Sequence, residues 1–162
     1  MAGRRQLTFA SLDDVMPDVE HLLRGHITVG QWTLGQICRH LTSTFRWLSE
    51  GGPDATLPPV PEAIRQRLLS VGRMREGVQA PHPSLLPPPD LDGRTEADIL
   101  REAITCFASV TDPLPAHPVL GPMTRDEWIR FHCIHCAHHL SFAVPSPDSP
   151  SSGSSSGSTA AR

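Results

Sequence analysis

Four of the chain's nine histidines, His132, His135, His138 and His139, fall within eight residues of one another. They lie in TRDEWIRFHCIHCAHHLSFA, residues 124–143. His135 and His139 are four residues apart, about one helical turn, so their rings can converge on a single ion. His132 and His138 fall at the two edges of the same face and are secondary candidates. A third ligand must come from another element. His40 is the candidate, because it is the histidine placed within the other long core helix that the sequence predicts. Three neutral imidazoles without a carboxylate or thiolate leave a coordination position open, as catalytic zinc sites do and structural ones do not. Such an ion lowers the pKa of a bound water or of a thiol cosubstrate. Zinc is the first choice of divalent metal, and imidazole also suits Ni, Cu and Fe. No Asp or Glu stands beside the three histidines as a general base, which favours a thiolate nucleophile over hydrolysis. Trp47, Trp128 and Phe131 are the expected walls of the pocket.

Two other readings fit parts of the same stretch. Cys133-x-x-Cys136 could serve a structural zinc or a redox site, but on a helix Cys133 points roughly opposite His135 and Cys136 about 100° away. The histidines could also be polar residues of a non-catalytic core, in a metal-binding or stress-related helical binding module.

The elements that must position these groups can be read from caps and periodicity. Thr124 and Glu127 form a Thr-x-x-Glu capping box, and Asp126 and Glu127 suit the positive end of the helix dipole. On that helix Trp128, Phe131, His135, His139 and Phe142 share one stripe. A second helix is predicted over Thr33–Ser49, opened by the capping box Thr33 to Gln36 and stopped by Gly51-Gly52-Pro53. Its apolar stripe is Leu34, Ile37, Leu41, Phe45 and Leu48, with His40 on the flank beside Gln36, Thr44 and Trp47. An earlier helix starts at Ser11 and ends at Gly25, with Leu12, Val15, Val19, Leu22 and Leu23 on one side. A further long helix covers Thr95–Val110, capped by Thr95, with Ile99, Ala103, Ile104, Phe107 and Val110 facing inward and Cys106 as a small core residue. Between Gly51 and Asp92 the chain is rich in Pro and Gly, interrupted by a short helix over Pro61–Gly72. His21 and His26 suit a helix C-terminus or the surface, His82 a loop, and His117 the anchoring of the rigid 117–122 loop.

Four helical segments, no alternating strand pattern and connections of unequal length predict an all-α four-helix bundle with metal held between facing helices. The domain is expected over residues 5–144. The Ser/Pro/Gly-rich segment 145–162 cannot bury enough apolar surface to order itself and is excluded from the fold as a disordered tail.

At 162 residues the chain suits one domain with a core that needs no disulfides. A net charge of -3 and a pI near 6.3 give no general attraction to nucleic acid or to anionic membrane. No apolar run is long enough to span a bilayer, and MAGRRQLTF lacks the apolar region of a signal peptide. Four cysteines without secretory context read as free thiols in a reducing compartment, and the expected localisation is cytoplasmic. All 14 basic residues are arginine, which excludes Schiff-base chemistry through a lysine.

A helix bearing Gln-Ile-Cys-Arg-His-Leu, then a long gap, then His-Pro-Val-Leu-Gly-Pro-Met-Thr-Arg-Asp-Glu-Trp leading into His-Cys-Ala-His-His-Leu-Ser-Phe, resembles the DinB/YfiT-like superfamily of metalloenzymes, closest to a bacterial branch of it. The resemblance covers about residues 5–143 and is most specific at His40 and in the 117–142 block. It implies a four-helix bundle, often a homodimer, whose metal is held by one His of the second helix and a His pair of the last, here His40, His135 and His139. It also implies a small-molecule substrate and, as in some relatives, a transferase or isomerase reaction that uses a low-molecular-weight thiol.

Overall fold

Ser11 caps the first element with a box closed by Asp14, and a 3-10 turn, Leu12–Asp14, runs directly into helix α1 (Val15–Leu23). The computed structural model describes residues 3–52, 60–78, 80 and 82–147, and over these the chain is mostly helical. After α1 come a short strand β1 (His26–Thr28) and helices α2 (Leu34–Glu50) and α3 (Glu62–Val71). A 3-10 turn (Pro83–Leu85), helices α4 (Gly93–Ser109) and α5 (Arg125–Leu140), and a strand β2 (Ala143–Pro145) complete the order.

The three long helices α2, α4 and α5 start at side-chain caps, one of them not the residue expected. Thr33 and Thr124 each accept a hydrogen bond from the third helical backbone N–H, while Gln36 and Glu127 reach back to the cap, satisfying donors that would otherwise be orphaned. At α4 the expected cap is displaced: Asp92, not Thr95, closes the helix, accepting from both the backbone N–H and the hydroxyl of Thr95. An ionised carboxylate is the stronger acceptor at the positive helix end, so the cap of α4 lies three residues earlier than the threonine suggests. Gly72 ends α3 in the left-handed region, φ +69°, as glycine C-caps do.

Helix α2 packs most extensively along α4, and also meets α5; α1 touches both α4 and α5. Leu22, Ile37, Leu41, Phe45, Leu100, Phe107, Trp128 and Leu140, each nearly or fully inaccessible to solvent, are central to the core that these four helices share. Helix α3 lies against α5 with only part-buried Leu68 and Leu69. Helix α5 is buried on nearly every side, at Trp128, Phe131, Cys133, Ile134, Cys136, Ala137 and Leu140 as well as at His132 and His135. The single apolar stripe expected of it is therefore too narrow: α5 is the central helix, and its polar exceptions are the ones that need an explanation.

Three further expectations are corrected. A small antiparallel ribbon is present, pairing His26 with Pro145, Ile27 with Val144 and Thr28 with Ala143. At three residues per strand, it is too short to leave an alternating pattern. Because Pro145 lies in β2 and the Ser146 N–H donates to the Gly25 carbonyl, the fold runs past the expected boundary at residue 144; the rest of the proposed tail, 148–162, lies outside the described residues. Cys106 is exposed on the outer face of α4, not in the core. No described helix is long and apolar enough to cross a membrane.

Candidate metal centre

The α2–α5 contact brings His40 against His135 and His139. One ligand nitrogen from each of the three lies within 4.8 Å of the others, and among the described residues no other group of three potential ligands converges in this way. The ring centroids are 5.0 Å apart for His40 and His135, 4.4 Å for His40 and His139, and 4.6 Å for His135 and His139. His40 and His135 are buried, and His139 is half-buried, so the trio meets solvent on the His139 side.

Hydrogen bonds fix which nitrogens are available. The Nδ1 of His40 is 2.9 Å from the Leu85 carbonyl oxygen, which only accepts, so Nδ1 carries the proton and Nε2 a lone pair. The Thr44 hydroxyl donates to the Leu41 carbonyl at 2.8 Å, which leaves its oxygen to accept from the Nδ1–H of His135, at a longer 3.4 Å. With its proton on Nδ1, His135 also turns a lone pair inward from Nε2; with the proton on Nε2, it donates to His40 instead. These two nitrogens face one another at 3.1 Å. In the metal-free protein that spacing suits an N–H···N hydrogen bond from His135 to His40, and moving the proton to Nδ1, toward Thr44, turns both lone pairs to a cation. Two nitrogens bound to one tetrahedral zinc, each at about 2.0–2.1 Å, stand roughly 3.3 Å apart, so the observed spacing fits an ion with little adjustment.

A proton is the competing cation, and burial works against it. Desolvation pushes the pKa of His40 down against the opposing Leu85 hydrogen bond; it pushes His139 down to about 2 and His135 well below the ordinary imidazole value, with His40 and His138 adding to the effect at both. The trio is a set of neutral imidazoles, of which His40 meets a carbonyl and His135 a hydroxyl, the usual outer support of histidine ligands.

The other candidates fall elsewhere. His132 is wholly buried, stacked on Phe45 at 3.9 Å and on Trp128 at 5.7 Å, with no partner for either ring nitrogen among the described residues. It is a core residue. His138 accepts from the Arg4 guanidinium at 3.1 Å and sits outside the trio, although its ring touches that of His139 at 4.8 Å. His117 anchors its loop as expected, its Nδ1 accepting from the Val119 and Leu120 N–H groups. His21 and His26 make local contacts at the end of α1, and His82 caps the 3-10 turn.

The expected walls are partly wrong. Trp47 and Trp128 surround His117, each with ring centroids 5.0 Å from it, and do not line the trio. Phe131 does, stacked on His135 at 5.4 Å. The wall that sequence reasoning missed is Trp32, which stacks on His139 at 5.4 Å and tilts against His40 at 4.9 Å. Trp32 precedes the α2 cap and belongs to no helical stripe; its proximity in sequence to His40 was the available signal. The two cysteines of Cys133-x-x-Cys136 are free, buried and absent from the trio. Burial raises both thiol pKa values, that of Cys136 far above its usual range, so neither is a ready thiolate.

No curated protein and no solved structure matches the chain. One family model does, over residues 1–146, nearly the whole of the described fold. The chain therefore belongs to the family described as protein of unknown function DUF1569.

Proposed function

We propose that this protein is a metal-dependent enzyme of the DinB/YfiT-like type, in which α1, α2, α4 and α5 form the four-helix bundle and His40, His135 and His139 hold one divalent ion. Zinc is the first choice and nickel or iron the alternatives. The observation that carries the reading is the convergence of one nitrogen each from His40, His135 and His139, with the Nε2 atoms of His40 and His135 3.1 Å apart in surroundings where burial disfavours protonated imidazole.

A divalent ion bound there supplies Lewis acidity, lowering the pKa of a coordinated thiol or water. The chain's own residues do the rest. Leu85 fixes His40 in the ligating tautomer, Thr44 offers an acceptor to an Nδ1–H of His135, Trp32 and Phe131 stack on the imidazoles and exclude water, and His139 faces the approach from solvent. The trio includes no carboxylate that could act as a base toward water. This supports a reaction whose nucleophile needs only acidification, a low-molecular-weight thiol, and a transferase or isomerase outcome.

The purified protein should carry close to one metal per chain, and His40→Ala and His135→Ala should each lose most of it. Undiminished metal in both variants sinks the three-histidine site. Cobalt-substituted protein titrated with thiols, followed by a screen against epoxide, haloalkane and maleyl-type acceptors, tests the reaction, with His139→Ala as the control. A metal-loaded protein whose spectrum no thiol perturbs and which consumes no acceptor is instead a metal-binding module.

A further inference from the structure

A cleft of about 300 Å³ opens on the face of α5 next to the histidine trio, between the chain's N-terminal segment and the residues after α3. Ile134, Ala137, His138 and Ser141, spaced as one helical face, form its floor; His135 and His139 are each one residue further on, about 100° around the same helix. Three arginines and one glutamate border it.

The arginines differ in what they have left to offer. Arg5 is matched in charge, bound to both carboxylate oxygens of Asp18 at 2.8 Å and to the Leu140 carbonyl, with its Nε–H buried and without a described partner. Arg4 is three-quarters buried and rigidly held: it donates to the Ser141 hydroxyl at 2.6 Å, to His138 Nδ1 at 3.1 Å and to Glu76 at 2.8 Å, with its guanidinium over the Phe142 ring. Of its five N–H donors, these three contacts leave two without a described partner. Arg73 makes no hydrogen bond or ion pair with any described residue. The cleft thus joins one fixed, partly unsatisfied guanidinium to one uncommitted guanidinium, and only the exposed Glu76 opposes them. His138 links this cleft to the trio, since it touches Arg4 on one side and His139 on the other.

We propose that the cleft is the recognition site for the carboxylate of the small molecule that reacts at the trio, with Arg73 and Arg4 as its clamp. The proposal rests on the metal-centre reading for what lies at the other end of that molecule. Two guanidinium groups present paired N–H donors suited to a planar carboxylate. Because Arg4 is already immobilised by α5, little side-chain freedom is lost on its side when the anion binds. Specificity then divides between two ends, a charge read in the cleft and a soft donor read at the histidines. Neutral thiols of the same length satisfy only one.

The test uses probes that separate the ends. Full-length, metal-free protein is titrated with 3-mercaptopropionate, propionate and 3-mercaptopropionamide, read by chemical-shift perturbation, and the same titrations are run on Arg73→Gln. Both acids should shift resonances of the cleft and bind about tenfold tighter than the amide, a margin typical of one charge-assisted contact. Arg73→Gln should remove that preference, and Glu76→Gln, which frees Arg4, should increase it. Equal binding of acid and amide overturns the proposal, as does a preference that Arg73→Gln leaves intact. Failure of the metal-centre reading shows separately, as metal content that His40→Ala and His135→Ala do not reduce.

Discussion

At the scale of single residues, similar chemistry has opposite consequences according to what each ring nitrogen touches. His40 has one nitrogen bonded to a carbonyl and the other turned to His135, whereas neither nitrogen of His132 has a described partner. An unsatisfied buried donor costs about 1–3 kcal/mol, so His132 is a liability that its stacking on Phe45 and Trp128 must offset. It also makes the fold sensitive to acid. Burial, and secondarily the neighbouring His117, holds its pKa well below the ordinary value, and burial alone takes His117 to about 3. In the unfolded chain each titrates near 6.5, so that state takes up more protons as the pH falls, and stability that is complete above 6.5 is lost on the way down. Each such group removes about 1.4 kcal/mol per pH unit across that window. His132→Phe keeps the stack and removes both orphan nitrogens. It should be more stable than wild type by about 1 kcal/mol at pH 7.5, and the margin should grow by roughly 2 kcal/mol at pH 5. Urea denaturation of metal-free protein at the two pH values measures this, and a wild type that is the more stable at both would refute it.

At the scale of elements, caps were the most legible feature, because a capping box involves residues three apart and needs no partner from elsewhere. Thr33 with Gln36 and Thr124 with Glu127 set the starts of α2 and α5, and so the register of His40, His135 and His139. Close approach between elements leaves no comparable local trace. Gly35 shows this: a Cβ there would lie 2.5 Å from the Leu91 carbonyl oxygen, which belongs to backbone and cannot rotate aside. The tight seam lets the chain before α4 cross over the first turn of α2, five residues before His40. Gly35→Ala should therefore destabilise the protein by about 1–3 kcal/mol despite the better helix propensity of alanine, and weaken metal retention by shifting α2. Gly93, at the start of α4, is the control, since a Cβ there meets nothing nearer than 3.6 Å. Gly93→Ala should be neutral or stabilising by up to about 1 kcal/mol. Thermal melts of both, with metal content measured alongside, decide the point; equal effects at the two glycines would mean that the Leu91 contact is unimportant.

At the scale of the whole molecule, the parts that were not legible join segments far apart in the chain. Trp32 reaches His139 from the turn before α2, and the arginine cleft draws on residues near 4, 73 and 138, none of which has a periodicity that links it to the others. The β1–β2 ribbon belongs to the same class, and it decides where the fold ends. Ala143 is fully buried, Val29 donates its N–H to the Phe142 carbonyl, and Ser146 donates to Gly25, so the strand after α5 ties the end of the central helix to the end of α1. By composition the segment beyond, 148–162, has little apolar surface to bury. Two truncations separate these contributions. A chain ending at Pro147 should melt within about a degree of the full-length protein, since a segment with so little apolar surface has little to contribute. A chain ending at Phe142 loses the ribbon and the buried Ala143, and should melt several degrees lower, on the scale of about 4 °C per kcal/mol for a domain of this size. Loss of stability in the first truncation would show that the terminal segment docks on the fold. An unchanged melt in the second would show that α5 holds its place, and with it the histidine pair, without the strand that follows it.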